Sequence, residues 1–248
     1  SHLGALPGEQ LNPDCALAPR LKPHLERLLR PGKSRPFRSQ GGIVISLTDL
    51  SQGRILLQCF RGGRWKFRMK ILLITGSPRE GGASSVLAGA FEKGALSAGH
   101  EVFRFDAGLK KVAPCSVCEY CHTDGDRCII RDDMDELVPH LLESEALVLA
   151  SPIYYYDVTA QLRSVIGRFY ACRKDMHRAR TSAFLVVSGD REEESAAGSI
   201  QNYHALVHRL RWRDAGVIAA RGIVTADEMR KSEFPRLAED LGRSIGTL

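Results

Sequence analysis

From Lys70 onward, short apolar runs alternate along the chain with longer segments in which apolar residues recur every three or four positions. The short runs predict β-strands, and the longer segments predict amphipathic helices. The predicted strands are Lys70 to Thr75, Glu101 to Phe105, Ala146 to Ala150, Ser182 to Val187 and Gly216 to Val224. The predicted helices are Ser84 to Ala98, Met134 to Glu143, Thr159 to Ala171, Ser195 to Leu210 and Phe234 to Ile245.

Strands that alternate with helices in this way form parallel sheets covered by helices. Five of each predict an α/β fold, namely a flavodoxin-like, doubly wound, five-stranded parallel sheet with helices on both faces. Ligands of such sheets bind beyond the carboxyl ends of the strands, where the strand order reverses. The loops after the first four strands are therefore where we look for chemistry.

The composition is that of a globular protein. The chain has 248 residues, of which 44% are hydrophobic and 26% are charged, values that exclude collagen-like and disordered classes. Its seven cysteines are too few and too unevenly spread for a disulfide-stapled secreted scaffold, so we expect a reduced, cytoplasmic protein. The longest apolar runs fall far short of the roughly 20 residues that span a bilayer, so no membrane association is expected.

The net charge of +6 is concentrated at the start of the chain. Up to Met69 there are 12 basic and 4 acidic residues, which leaves 23 basic and 25 acidic residues in the remainder. The remainder is therefore nearly neutral, and nucleic acid is not expected as its partner.

The charge and the proline content divide the sequence into a basic Pro/Arg/Gly-rich leader, residues 1–68, and a flavodoxin-like domain, residues 69–248. The chain begins with Ser1, and its first methionine is Met69, so one hypothesis is that the natural chain starts there and that the leader is non-native or disordered. The alternatives are a helix from Pro19 to Arg30 with a hairpin from Ile43 to Phe60, or a basic arm that contacts an acidic partner.

A Gly/Ser-rich loop joins the first predicted strand of the domain to its helix, over Gly76 to Ser85. Glycines allow backbone amides to approach an anion, and a helix N-terminus donates to it, so the loop predicts a phosphate site. It has neither the GxxxxGK[ST] nor the GxGxxG pattern, which disfavours P-loop and dinucleotide-binding sites. The alternative is that Ser84 or Ser85 only caps the helix.

An aromatic loop, Ser151 to Asp157, follows the third predicted strand. Its side chains are suited to packing against a flat heteroaromatic ring, although three tyrosines could equally form an interface patch.

Four of the seven cysteines fall in the segment 114–130, as Cys115, Cys118, Cys121 and Cys128. The C-x2-C-x2-C-x6-C spacing favours ligation of a [4Fe-4S] cluster; zinc and free or redox-active thiols are the alternatives.

Together these motifs resemble the NADPH-dependent FMN reductase superfamily and, within it, the iron-sulfur flavoproteins of archaea and anaerobic bacteria. The resemblance runs from Met69 to the C-terminus. It rests on Gly-Ser-Pro-Arg at 76–79, the cysteine run from Pro114, Ser-Pro-Ile-Tyr at 151–154 and Ala-Gln-Leu-Arg at 160–163.

The resemblance implies a bound FMN, four cysteine ligands of a [4Fe-4S] cluster, and a homodimer or homotetramer. It assigns the phosphate to Ser77, Arg79, Ser84 and Ser85. It assigns the isoalloxazine ring to Pro152, Ile153, Tyr154 and Tyr155, with Ser188 and Gly189 close to the flavin. NAD(P)H would be a transient donor without a readable motif.

The leading hypothesis is an FMN-dependent oxidoreductase that passes electrons between the cluster, FMN and an external acceptor, either a small molecule or an electron-carrier protein. No catalytic side chain is required. The alternatives are an NAD(P)H-dependent FMN or quinone oxidoreductase without a cluster, and a non-catalytic flavin-binding regulatory protein.

Overall fold

The structure is a computed structural model that describes residues 37–38, 44–45, 68–123, 127–178 and 180–246. Residues 67–247 form one compact unit, and residues 1–66 belong to a second. In the second unit, strands β1 (Phe37–Arg38) and β2 (Val44–Ile45) pair antiparallel. The helix predicted from Pro19 to Arg30 lies outside the described residues, and so does the hairpin predicted from Ile43 to Phe60, except for β2.

The larger unit contains a parallel sheet of five strands. They are β3 (Lys70–Thr75), β4 (Glu101–Asp106), β5 (Ala146–Tyr154), β7 (Thr181–Val187) and β8 (Arg213–Ala220). The strand order is β4-β3-β5-β7-β8, and the short strand β6 (Asp157–Val158) pairs antiparallel with the end of β5. The order reverses between β3 and β5, as in a doubly wound sheet, so the predicted flavodoxin-like fold is confirmed.

Helices cover both faces of this sheet. They are α1 (Ala83–Ser97), α2 (Tyr120–Thr123), α3 (Met134–Glu143), α4 (Ala160–Arg168), α5 (Arg173–Met176), α6 (Glu194–Leu210), α7 (Ala226–Lys231) and α8 (Phe234–Ser244). Two 3₁₀ turns lie at Ala107–Leu109 and Phe169–Cys172. None of the helices in the described ranges combines the length and the apolar character that a bilayer span needs.

Alternation along the strands divides the buried side chains between two cores. In β3, Leu72 and Ile74 face the core beneath α3, α4 and α6, whereas Ile71 and Leu73 face the core beneath α1 and α8. On the second face the backbones of α1 and α8 are in contact at Gly94. A Cβ at this position would overlap the carbonyl of Glu239, so the close approach requires a glycine.

The last strand differs from its prediction. It ends at Ala220, whereas the hydrophobic run continues to Val224. Beyond Ala220 the chain bends at Gly222, which has φ +68, and its amide donates to the carbonyl of Asp190. The amide of Ile223 donates to the carbonyl of Ser188. The end of the hydrophobic run therefore stabilises the loop after β7 instead of extending β8.

Two helical segments also differ. The helix predicted from Thr159 to Ala171 ends at Arg168 and continues as the 3₁₀ turn. The short helix α7 was not predicted, although Thr225 and Glu228 form the capping box that starts it.

Candidate functional site

Three loops leave the sheet side by side at the carboxyl ends of β3, β5 and β7. In the parallel register Thr75 lies opposite Ala150, and Pro152 lies opposite Val187. The residues predicted to hold FMN lie in these loops, at the start of α1 or in the last residues of β5: Ser77, Arg79, Ser84, Ser85, Pro152, Ile153, Tyr154, Tyr155, Ser188 and Gly189. No observation tests their individual roles, which stay predictions.

The loop after β3 ends at the open N-terminus of α1. The N-cap residue, Gly82, is extended and makes no side-chain cap, and the amide of Val86 donates to its carbonyl at 3.0 Å. Helix geometry therefore leaves the amides of Ala83, Ser84 and Ser85 without intrahelical acceptors, so they are available to an anion. The alternative that Ser84 or Ser85 caps the helix is wrong, since both lie within α1.

Side chains of this loop are already ordered by the protein. The Ser77 hydroxyl accepts from the Arg79 amide at 3.2 Å, and Ser77 is buried. The Ser85 hydroxyl accepts a hydrogen bond from Nη2 of Arg104 at 3.0 Å. Nε of the same arginine donates to the Asp106 carboxylate at 2.9 Å. Sequence reasoning missed Arg104, a cation beside the predicted phosphate site, because it lies inside a strand.

Buried hydrogen bonds join the phosphate loop to the aromatic loop. The Thr159 hydroxyl donates to the carbonyl of Gly76 at 2.7 Å and accepts from the amide of Leu162, so it also caps α4. The Thr159 amide donates to the Ser151 hydroxyl at 3.1 Å. A Cβ at Gly76 would lie only 2.5 Å from the Thr159 hydroxyl oxygen, so no residue larger than glycine fits at this position.

The aromatic loop is a two-residue hairpin between β5 and β6. Both central residues have positive φ, 53° at Tyr155 and 69° at Tyr156, where glycine or asparagine is usual. The Tyr155 side chain is 99% exposed, so packing of this side chain does not stabilise its positive φ. The turn is closed by Asp157, which receives a bidentate ion pair from Arg163. A strained turn that presents aromatic rings is typical of a ligand-contacting segment.

Ser188 and Gly189 begin the loop after β7. The Ser188 side chain is buried, donates to the carbonyl of Asp190 at 2.9 Å and accepts from the Ser195 hydroxyl at 3.0 Å. Because the Ser188 hydroxyl already donates and accepts within the protein, a ligand would contact Ser188 and Gly189 mainly through their backbone groups.

The four clustered cysteines line a single pocket on the surface. Cys118 is exposed and the other three are half-buried. Burial and the neighbouring thiolate of Cys128 raise the pKa of the Cys121 thiol. Within the described residues, no three His, Cys, Asp or Glu side chains are grouped as ligands of one metal ion.

The backbone of the cysteine loop is shaped around its sulfurs. Val117 and Glu119 have φ values of 54° and 61°, and for a β-branched residue such as Val117 this conformation is strained. The amide of Val117 donates to Sγ of Cys115 at 3.4 Å. This hydrogen bond gives one of the predicted ligand sulfurs a backbone donor.

A buried ion pair closes the base of the cysteine loop. The Asp132 carboxylate accepts from the amides of Ala113 and Met134 and from the guanidinium of Arg168 at 2.7 Å. Although burial opposes ionisation, these hydrogen bonds hold the pKa of Asp132 below its ordinary value. Sequence reasoning missed this ion pair, because 36 residues separate its two members.

Comparison with known proteins gives iron-sulfur flavoproteins among the relatives. One from Archaeoglobus fulgidus is 38% identical over 132 residues, which are 52% of this chain and 60% of that protein. One from Methanosarcina thermophila is 32% identical over 142 residues, 56% of this chain and 73% of that protein. The match thus spans less than two thirds of the first relative.

Among solved structures, the NAD(P)H:quinone oxidoreductase from Methanothermobacter marburgensis has the same fold. The TM-score is 0.58 at 18% identity, over 72% of this chain and 97% of that one. The family model for NADPH-dependent FMN reductase matches residues 69–221, which confirms the predicted class of a flavin-dependent oxidoreductase. The chain belongs to the NADPH-dependent FMN reductase family and, within it, to the iron-sulfur flavoproteins.

Proposed function

We propose that this chain binds FMN and a [4Fe-4S] cluster and passes electrons between them and an external acceptor. The observation that carries the proposal is the pocket lined by Cys115, Cys118, Cys121 and Cys128, in a chain whose sheet edge carries the open N-terminus of α1. When bound, FMN would exchange one or two electrons and the cluster one at a time.

The residues at the sheet edge fit FMN by their chemistry. The free amides at the start of α1 favour the dianionic phosphate. The Arg104 guanidinium orders Ser85 beside them while it is paired with Glu92 and Asp106. The hairpin that carries Tyr154 and Tyr155 offers aromatic faces to a flat ring. The Thr159 hydroxyl fixes the distance between these two parts, because it bonds the phosphate loop while it caps α4.

The cysteine loop fits a cluster better than it fits a single ion. A zinc ion draws four sulfurs to about 2.3 Å from one point, whereas a cubane binds each cysteine at a different iron. Four thiols that line one pocket in the C-x2-C-x2-C-x6-C spacing support the cubane.

The two proposed sites are joined by α4. Arg168 at its end contacts the cysteine loop, and Thr159 at its start contacts the phosphate loop. Nine residues of helix rise by about 14 Å, so one rigid element sets the separation of the two sites.

The second candidate is an NAD(P)H-dependent flavin oxidoreductase without a cluster. A relative from Bacillus subtilis named as a putative NAD(P)H-dependent FMN-containing oxidoreductase favours it, at 24% identity over 90% of that protein. NAD(P)H as donor, the acceptor and a homodimer or homotetramer remain proposals under both candidates.

An anaerobic reductive titration of the purified holoprotein tests the first candidate against the second. The proposal predicts uptake of about three electrons per FMN, two by the flavin and one by the cluster. Uptake of about two electrons per FMN would contradict the cluster and leave the second candidate.

Two cysteine variants make the titration specific. Cys118→Ser removes a thiol of the pocket, and we expect it to lose the third electron while FMN is retained. Cys172→Ser is the matched control, because Cys172 is a buried cysteine outside the pocket lining. It should titrate like the unmodified protein, and loss of the third electron in both variants alike would contradict the assignment.

A further inference from the structure

Arg168 is an almost completely buried guanidinium at the end of α4, with 2% of its side chain exposed. Its Nη1 donates to Asp132 at 2.7 Å and to the carbonyl of Ala113 at 3.1 Å, and its Nη2 donates to the carbonyl of Ile130 at 3.2 Å. Ala113 precedes the four cysteines and Ile130 follows them. One side chain therefore clamps both ends of the cysteine loop.

One nitrogen of this guanidinium has no partner in the part of the chain that the structure describes. The Nε atom of Arg168 is buried and has no hydrogen-bond partner among the described residues. A buried donor without a partner costs free energy, so a guanidinium placed in this way usually has an acceptor. Arg168 lines the same pocket as the four cysteines, which makes a group bound in that pocket the natural acceptor.

The charges around the pocket are few. Its lining contains one other charged residue in the described part of the chain, Glu119, whose carboxylate accepts from the Tyr170 hydroxyl at 3.1 Å. Arginine side chains are cationic in proteins. Asp132 faces the guanidinium of Arg168 from the base of the loop. A more negative, reduced cluster would thus lie beside a cation and a free N–H donor.

We propose that Arg168 is a positioning residue for the cluster. Its Nε–H donates to a sulfur in the cysteine pocket, its Nη atoms fix the ends of the loop, and together they favour the reduced state. Hydrogen bonds to the sulfurs and local charge are established determinants of cluster potential. The inference rests on the proposed function, because it needs a cluster in the pocket.

The test is the reduction potential of the cluster in FMN-loaded holoprotein variants. Arg168→Lys keeps the charge but lacks the Nε–H. We therefore expect the ratio of reduced to oxidised cluster at fixed potential to fall about tenfold, which for one electron lowers the reduction potential by about 59 mV. Asp132→Asn leaves the guanidinium less neutralised, so the ratio should rise. Opposite signs from two partners of one ion pair would not follow from a purely structural role.

Two further variants protect the test against misfolding and side effects. Arg168→Met combined with Asp132→Asn removes the pair without leaving a buried charge unpaired, and should also lower the ratio. Arg236→Met removes an exposed arginine of α8 whose ion pair with Asp240 contacts neither proposed site, so the potential should stay unchanged.

The outcomes separate this inference from the proposed function. A wild-type protein without iron contradicts the proposed function and this inference with it. Wild-type protein with iron, but with unchanged potential in both Arg168→Lys and the double variant, overturns the role of Arg168 alone. Loss of iron from the double variant while FMN content is retained supports the loop clamp, because the rest of the domain then remains folded.

Discussion

The hydrogen bond between Thr159 and Gly76 carries a quantitative prediction. Thr159→Val keeps the shape of the side chain and removes its hydroxyl, which caps α4 and donates to a buried carbonyl. Loss of an N-cap costs about 1 kcal/mol, and an unsatisfied buried carbonyl costs a further 1 to 3 kcal/mol or so. The free energy of unfolding should fall by about 2 to 4 kcal/mol in total.

Thr225→Val is the matched control for this substitution. Thr225 caps α7 through the same kind of hydroxyl-to-amide bond, but its contacts are local and exposed. We expect only the cap, about 1 kcal/mol, to be lost.

Thermal unfolding monitored by circular dichroism compares the two variants. At about 2 to 4 °C per kcal/mol for a domain of this size, Thr159→Val should lower Tm by roughly 5 to 15 °C and Thr225→Val by roughly 2 to 4 °C. Thr159→Val should also weaken FMN binding, measured by flavin fluorescence, because the phosphate loop loses its anchor. Equal shifts of Tm and an unchanged FMN affinity would show that the Thr159 hydroxyl does not anchor the phosphate loop.

Two other predictions concern the packing of the loops and acid stability. Gly108→Ala should lower Tm and FMN content, because its Cβ would overlap the backbone carbonyl of Ser77. Gly167→Ala is the control: its Cβ would lie in open space on α4, so the free energy of unfolding should stay unchanged or rise by up to about 1 kcal/mol. Equal Tm values for the two variants would contradict this. Asp132 has a lowered folded pKa, so it stabilises the fold above its unfolded pKa, and that contribution is lost as the pH falls through the folded value. Acid titrations should show a smaller loss of stability below about pH 4 in Asp132→Asn than in the unmodified protein, and parallel curves would contradict it.

The sequence predicts the sheet well because its strands are short apolar runs between polar loops. β3 matches its prediction residue for residue, whereas β8 does not. Hydrophobicity alone could not show where β8 ends, because Ile223 and Val224 continue the apolar run after Gly222 has turned the chain.

The sequence also predicts which loops converge, since parallel strands end at one edge. It could not predict the contacts that order those loops. The Arg168–Asp132 pair joins residues 36 positions apart, and the Thr159–Gly76 bond joins residues 83 positions apart. Such contacts depend on register and helix placement, which no local pattern encodes.

The most direct test of the account is the content of iron and acid-labile sulfide per FMN in protein purified without oxygen. A [4Fe-4S] cluster held by the four cysteines predicts about four of each per FMN, with broad visible absorption added to the flavin bands. Flavin bands without iron would contradict the cluster and would leave the pocket of Cys115, Cys118, Cys121 and Cys128 as a thiol site.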